Sequence, residues 1–210
     1  MTTDKTVVQR TAHAKINLSL HVTGKRADGY HLLDSLVGFA AFGDLITVQA
    51  ANHDAFALQG PLAKALADEP PENNLVLRAR DWLRAQSGEP RPPVRVTLDK
   101  HLPTASGIGG GSADAAATLI ALAKIWCTPA DILADSAAIA EALGADVPMC
   151  VHQTPLRVTG IGEVLAPWHR LPTLPLVLVN PGDAVSTPDV FNALTKPDND
   201  ALHAMPPAAW

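Results

Sequence analysis

Cysteine is nearly missing from this chain of 210 residues: Cys127 and Cys150 are the only two, and neither belongs to a CxxC pair. Two scattered thiols cannot staple a small fold, so no disulfide framework is expected. Both are read as small buried side chains in a reducing compartment. The opening residues, MTTDKTVVQR, lack the apolar core of a secretory leader. No apolar run approaches the ~20 residues that span a bilayer, so no membrane partner is expected and the cytoplasm is the expected location. An excess of basic charge is also lacking, with 16 Lys and Arg against 21 Asp and Glu and a net charge of −5. Nucleic acid is therefore not an expected partner, because binding a phosphate backbone draws on a basic surface. A small phosphorylated molecule stays open, since a local pocket can be rich in donors within an acidic protein.

Several catalytic signatures are missing too. The eight histidines are scattered, with no HExxH and no paired Cys/His set, so no zinc site is expected. No GxSxG elbow supports serine hydrolysis, and the HRD and DFG signatures of protein kinases do not occur.

What the chain does have is a core's worth of apolar residues, 47% of the total, enough for one large domain or two modest ones. Its 18 prolines point to many short connections. The most distinctive stretch is PTASGIGGGSADAAA, Pro103 to Ala117. Glycine lacks a Cβ, so the backbone can turn sharply there and bring N–H groups close to a ligand. Ser112 is read as the N-cap of an alanine-rich helix running to about Trp126. Exposed N–H donors feeding a helix N-terminus make an anion site, phosphate above all. A flexible glycine connection before an ordinary capped helix is the plain alternative. Two familiar phosphate loops do not fit. The Walker pattern needs a lysine before Ser112, and the dinucleotide pattern GxGxxG needs glycine at that position.

The surrounding pattern gives the loop a context. Thr6–Thr11 is a short strand candidate. From Lys15 on, Ile16, Leu18, Leu20 and Val22 alternate with Lys15, Asn17, Ser19 and His21, the period of a half-buried strand. Asp28-Gly29 marks a turn, followed by strand candidates at His31–Ala40 and Asp44–Ala50, which together predict an antiparallel meander. Asn74 caps a predicted helix that ends before Gly88. Val94, Val96 and Leu98 alternate with polar residues in a strand leading to the glycine loop. Thr128-Pro129 opens a predicted helix through Ile132, Leu133, Ile139 and Leu143, stopped at Gly144. Asp146 follows on a loop held by Pro148. Taken alone it is either a catalytic carboxylate or a turn aspartate, and Lys15 is equally open. Pro155–Thr159 and Leu174–Asn180 are predicted strands, and Thr187-Pro188 opens a short helix holding Phe191.

Three segments carry a resemblance: AKINLSLHVTGKRADGYHLLDSL (Ala14 to Leu36), LPTASGIGGGSADAAA (Leu102 to Ala117) and LGADVPMCV (Leu143 to Val151). With GIGEVLAP and NPGDAVSTPDVF further on, they resemble the GHMP small-molecule kinases over nearly the whole chain. RADGYH and the triple glycine before serine point to the branch that acts on a cytidine diphosphate alcohol in non-mevalonate isoprenoid synthesis. They point away from homoserine and mevalonate kinases. The resemblance implies an α+β, two-lobe fold. Residues 1–153 would form an N-terminal lobe like the second domain of ribosomal protein S5. Residues 154–210 would be an incomplete C-terminal α+β lobe, because family members run on into a third glycine-rich motif.

It also implies ATP-dependent transfer to a hydroxyl. Pro103, Thr104, Ala105, Ser106, Gly107, Ile108, Gly109, Gly110, Gly111, Ser112 and Ala113 would wrap the ATP phosphates, with Mg²⁺ bridging them. Asp146 would be the catalytic carboxylate and Lys15 its partner. Asn17 and Thr187 would touch substrate, Tyr30 and Phe191 would flank the cytosine, and His31 would bond its edge. A monomer or homodimer is expected. Two alternatives are a nucleotide-binding remnant without catalysis and another member of the same kinase family. Ala113 and Asp114 replace the Ser and Asn of many members, so no metal-ligating residue is carried over, and Asp114 is expected to place negative charge beside the phosphates.

Overall fold

The computed structural model describes residues 7–169, 171–182 and 186–203. The alternating N-terminal segments form strands, but longer ones than the pattern predicts. β1 runs unbroken from Val7 to Lys25 and β2 from His31 to Ala50. The predicted strand at Thr6–Thr11 merges into its successor, and Thr6 itself lies outside the described residues. Register shifts at His13/Lys15 and Val22/Gly24 absorb the irregularities that look like strand ends in the sequence, and a third at Asn17/Ser19 falls within the alternation expected to be regular. The predicted meander is thus a single long hairpin. Its turn is closed by the Arg26 N–H donating to the Tyr30 carbonyl at 2.7 Å, with Gly29 at φ +94°. The gap predicted between Ala40 and Asp44 lies inside β2. Gly43 there packs so closely on the Ala12 backbone that an added Cβ would collide with it.

β2 is the strand on which the sheet is built. β1 pairs along one edge. On the other, its first half pairs with β5 (Leu156–Gly160) and its second half with β4 (Val94–Asp99), all antiparallel. β3 (Ala55–Gln59), not foreseen in the sequence, lies parallel to β4, and β6 (Val164–Pro167) antiparallel to β5. The strand order is β3-β4-β2-β5-β6, with β1 on β2.

Helices cover this sheet. α1 (Leu75–Gln86) starts as predicted, with the Asn74 side chain accepting from the Val76 and Leu77 N–H groups. α2 (Gly110–Trp126) lies against α1, β1 and β2 and buries Ala113, Ala115, Ala116, Ala117 and Ala121. Its small side chains allow a close approach to these neighbours. Gly109, in the left-handed region, is its N-cap, and Ser112 sits within the first turn instead. The single helix predicted after Thr128 is two, α3 (Ala130–Ala134) and α4 (Ser136–Leu143). Asp135 breaks it by accepting from the Ala138 N–H at 3.0 Å, an N-cap bond a continuous helix would forbid. α5 (Asp146–His152) follows, so Asp146 begins a helix and does not lie on a loop. α6 (Thr187–Asn192) is capped by Ser186, one residue before the predicted cap.

The core between sheet and helices includes Ile46, Val48, Leu83, Leu98, Leu119, Leu122 and Trp126. Cys150 is buried, and that burial pushes its thiol up to about 12. Cys127 is exposed, contrary to expectation, because it ends α2. Leu174–Asn180, predicted as a strand, pairs with no strand among the described residues, and Val177 and Val179 are 89% and 86% exposed. The final described stretch is held by polar contacts. Arg157 donates twice to Asp34, at 2.8 and 2.6 Å, which holds the Asp34 carboxyl below its ordinary range. The Leu202 N–H donates to the same carboxylate at 3.0 Å, and Asn199 Nδ2 donates to the Val22 carbonyl at 2.9 Å. No helix among the described residues is long and apolar enough to cross a membrane.

Candidate active site

The glycine loop leaves β4 through Lys100, His101 and Leu102 and ends in α2. Ala105, Gly107 and Gly109 all take positive φ, at +50°, +73° and +67°. At Gly109 the need for glycine is double, since an added Cβ would also lie 3.2 Å from the Lys15 Cβ. The Lys15 N–H donates to the Ile108 carbonyl at 2.8 Å, which fastens the loop to β1. The first bond of α2 runs from the Ala113 N–H to the Gly109 carbonyl at 2.8 Å. The N–H groups of Gly110, Gly111 and Ser112 therefore have no acceptor within the helix, which leaves a cluster of donors at the positive end of its dipole.

These donors face a cavity of about 970 Å³. Lys15 and Asn17 line it from β1, and Asp146 from the start of α5. Lys15 Nζ lies 3.1 Å from Asp146 Oδ2, with the lysine side chain 8% exposed and the aspartate 42%. The ammonium is thus fixed in place while the carboxylate remains open to a ligand. The register shift after Asn17 changes which side chains follow: Leu20, opposite Ser35, lines the cavity in place of Ser19. The expected strictly polar face is therefore polar at Lys15 and Asn17 and apolar at Leu20. A carboxylate and an ammonium beside a nest of N–H donors can together take a hydroxyl proton and stabilise phosphoryl oxygens.

Comparison with known proteins supplies the family. Residues 74–154 match the N-terminal domain of the GHMP kinases. The chain is 52% identical over 206 residues to a Brucella abortus protein named 4-diphosphocytidyl-2-C-methyl-D-erythritol kinase, spanning 96% of this chain and 67% of that one. The chain belongs to the GHMP kinase family. A Mesorhizobium japonicum protein of the same name is 53% identical over 196 residues, 93% of this chain and 65% of the relative. A crystal structure of 4-(cytidine 5'-diphospho)-2C-methyl-D-erythritol kinase superposes with a TM-score of 0.68 at 34% identity, covering 89% of this chain and 64% of that one. The chain spans about two thirds of the length of the relatives it matches. The α+β architecture agrees with that of the GHMP kinases.

Within this GHMP kinase fold, the predicted residues fall into two groups. Lys15, Asn17, Asp146, Thr187, Phe191 and each loop residue from Pro103 to Ser112 line one cavity. Ala113 is instead turned into the core, at 2% exposure. Tyr30 stands 60% exposed near the hairpin turn. His31 stacks on Phe191, with ring centroids 5.0 Å apart and planes 22° from parallel. Neither Tyr30 nor His31 is among the side chains lining the cavity.

Sequence reasoning missed Lys100 and Asp44. Lys100 Nζ is hydrogen-bonded to Asp44 and, at 3.0 Å, to Asp114 Oδ2, and all three side chains are buried. No local spacing could have revealed this cluster, which joins β2, the end of β4 and α2. Asp114 and Lys100 line the same cavity as the loop, but the Asp114 side chain is 3% exposed and faces the Lys100 ammonium, so its carboxyl does not stand bare beside the phosphate donors. Burial, outweighing the pull of Lys100, pushes that carboxyl up to about 8. Burial also opposes the Lys100 charge, but the two carboxylates outweigh it and raise Lys100 above its ordinary value. Asp114 thus keeps its proton over a range where the unfolded chain has lost it. Stability should therefore fall as pH rises from about 4 to about 8 and level off above that. Urea unfolding at several pH values should show Asp114→Asn gaining on the wild type up to about pH 8, then holding constant. Parallel pH profiles for the two proteins would count against the buried acid.

Proposed function

We propose that this chain carries the ATP-binding and catalytic part of a kinase that phosphorylates the 2-hydroxyl of 4-diphosphocytidyl-2-C-methyl-D-erythritol in non-mevalonate isoprenoid synthesis. The observation that carries the reading is the Lys15–Asp146 pair, 3.1 Å apart, in the same cavity as the glycine loop. The loop N–H groups would cradle the ATP phosphates. Asp146 would accept the proton of the acceptor hydroxyl as its oxygen forms a bond to the γ-phosphorus, and ADP would leave with the electrons of the broken P–O bond. Lys15 would hold the Asp146 carboxylate in position and place positive charge beside the reacting oxygens. Asn17 and Thr187 are assigned to the acceptor alcohol, and Tyr30, His31 and Phe191 to the cytosine.

No group of three or more His, Cys, Asp or Glu side chains converges as a metal cage among the described residues. Mg²⁺ would arrive on the nucleotide phosphates, with Ser112 among the oxygen donors the cavity offers. The ion would neutralise phosphate charge. A division at residue 153, into an ATP-binding and catalytic lobe that also carries Asn17, Tyr30 and His31 and a partial substrate lobe that carries Thr187 and Phe191, belongs to the same proposal. So do a cytoplasmic location, a monomeric or homodimeric state and indifference to nucleic acid.

One observation favours a second reading, a nucleotide-binding unit without turnover: the chain spans only about two thirds of its relatives' length. Two measurements separate them. Calorimetry with ATP should show binding, and coupled detection of ADP should show release only when the cytidine diphosphate alcohol is present. Binding without ADP release at high protein concentration would favour the second reading, and no binding would exclude both.

A further inference from the structure

The two ends of the glycine loop are joined beneath it by a buried cluster that the proposed chemistry does not use. At the entry, Asp44 Oδ1 accepts from the N–H groups of His101 and Leu102, the latter at 2.7 Å, just before Pro103. At the exit, Asp114 sits in the first turns of α2. Lys100 Nζ bridges the two carboxylates, and side-chain exposures are 1% for Lys100, 0% for Asp44 and 3% for Asp114. A Cβ built on Gly110 would lie 3.3 Å from that ammonium, so Lys100 lies under the first residue of the helix. The second oxygen of Asp114, Oδ1, is buried with no hydrogen-bond partner. Oδ2 therefore provides the side chain's polar link to the cluster.

We propose that Asp114, through Lys100 and Asp44, clasps the loop and is a positioning residue that sets its affinity for nucleotide. The inference rests on the reading of this loop as a nucleotide site. A loop with three residues at positive φ has many competing conformations, and its N–H groups bind phosphate well only if they are aimed beforehand. Asp44 fixes where the chain enters, and Asp114 fixes where the helix begins. Lys100 holds the two at a set separation. Asp114 and Lys100 border the cavity, but with 3% and 1% of their side chains exposed they work through the backbone they restrain.

Asparagine keeps the acceptor that meets Lys100, whereas alanine removes it. Two readouts on the purified chain test the clasp: amide hydrogen exchange of residues 103–112 without ligand, and calorimetric titration with ADP. Asp114→Ala should speed loop exchange and weaken ADP binding by about tenfold each, the scale of a lost hydrogen bond to a charged group. Exchange in the β2–β4 pairing should stay as in the wild type. Asp114→Asn should restore both readings. A uniform rise in exchange would reduce the cluster to general core stability and overturn the proposal. So would Asp114→Ala matching the wild type, or tighter ADP binding in both variants, which would mean that charge repulsion dominates. If Asp114→Ala does not fold, Asp114→Ser, whose hydroxyl falls short of Lys100, takes its place. Loop exchange that responds while no protein binds ADP would uphold the clasp and sink the nucleotide reading.

Discussion

Replacing Asp146 with asparagine is expected to lower kcat by roughly 10²–10⁴-fold, the range for loss of a positioned general base. ADP affinity should stay within a few-fold of the wild type. The separation follows from the site's layout. Phosphate donors come from the loop and the start of α2, whereas Asp146 reaches the cavity from α5, beside Lys15. An amide is nearly the same size and still offers Lys15 an oxygen, so the fold should be untouched, but it cannot take the acceptor's proton. Single-turnover ADP formation, with calorimetry on the same preparation, reads both quantities. A variant turning over within about tenfold of the wild type would remove Asp146 from the proton transfer.

Lys100→Met is expected to cost about 3–5 kcal/mol, because breaking one side of a buried ion pair leaves charge uncompensated. For a chain of this size that is a fall in Tm of roughly 6–20 °C. Methionine fills much of the lysine's volume, so the loss is electrostatic and leaves little cavity behind. Asp44 would keep its two backbone donors, His101 and Leu102, while Asp114 would lose its partner. Asp114 already keeps its proton, so the charge left bare is that of Asp44, and adding Asp44→Asn to Lys100→Met should recover part of the loss. Thermal unfolding followed by circular dichroism measures both. A single variant melting within about 2 °C of the wild type would show that the cluster contributes little to stability.

The parts of the site visible in the sequence were those with local chemistry. The glycine run, the Asn74 cap and the alternation from Val94 to Asp99 each act within a few residues, and each appears in the structure where the pattern placed it. The meeting of Lys15 and Asp146 was implied only by resemblance, since nothing local brings β1 to α5. Misjudged elements share a cause of a different kind. Faltering alternation reads as a strand end, but the register shifts after His13 and Val22 let β1 continue. Side-chain chemistry favours Ser112 as the cap, whereas the left-handed turn at Gly109 starts α2 earlier. Asp114 reads in the sequence as a charge beside the loop, and its burial follows only from the long-range packing of β2, β4 and α2.

The hairpin of β1 and β2 also bears on the order in which the chain acquires its parts. Neighbouring strands joined by a tight turn close at small entropic cost, whereas contacts between distant segments wait for larger loops to form. Lys15 lies on that early-closing hairpin and Asp146 far along the chain, beyond α4. The sheet's central strand can therefore exist before the pair that would make it useful. Assembly of the Lys15–Asp146 pair becomes a late event in folding, sensitive to any slowness in docking α5 even when most backbone structure has already formed.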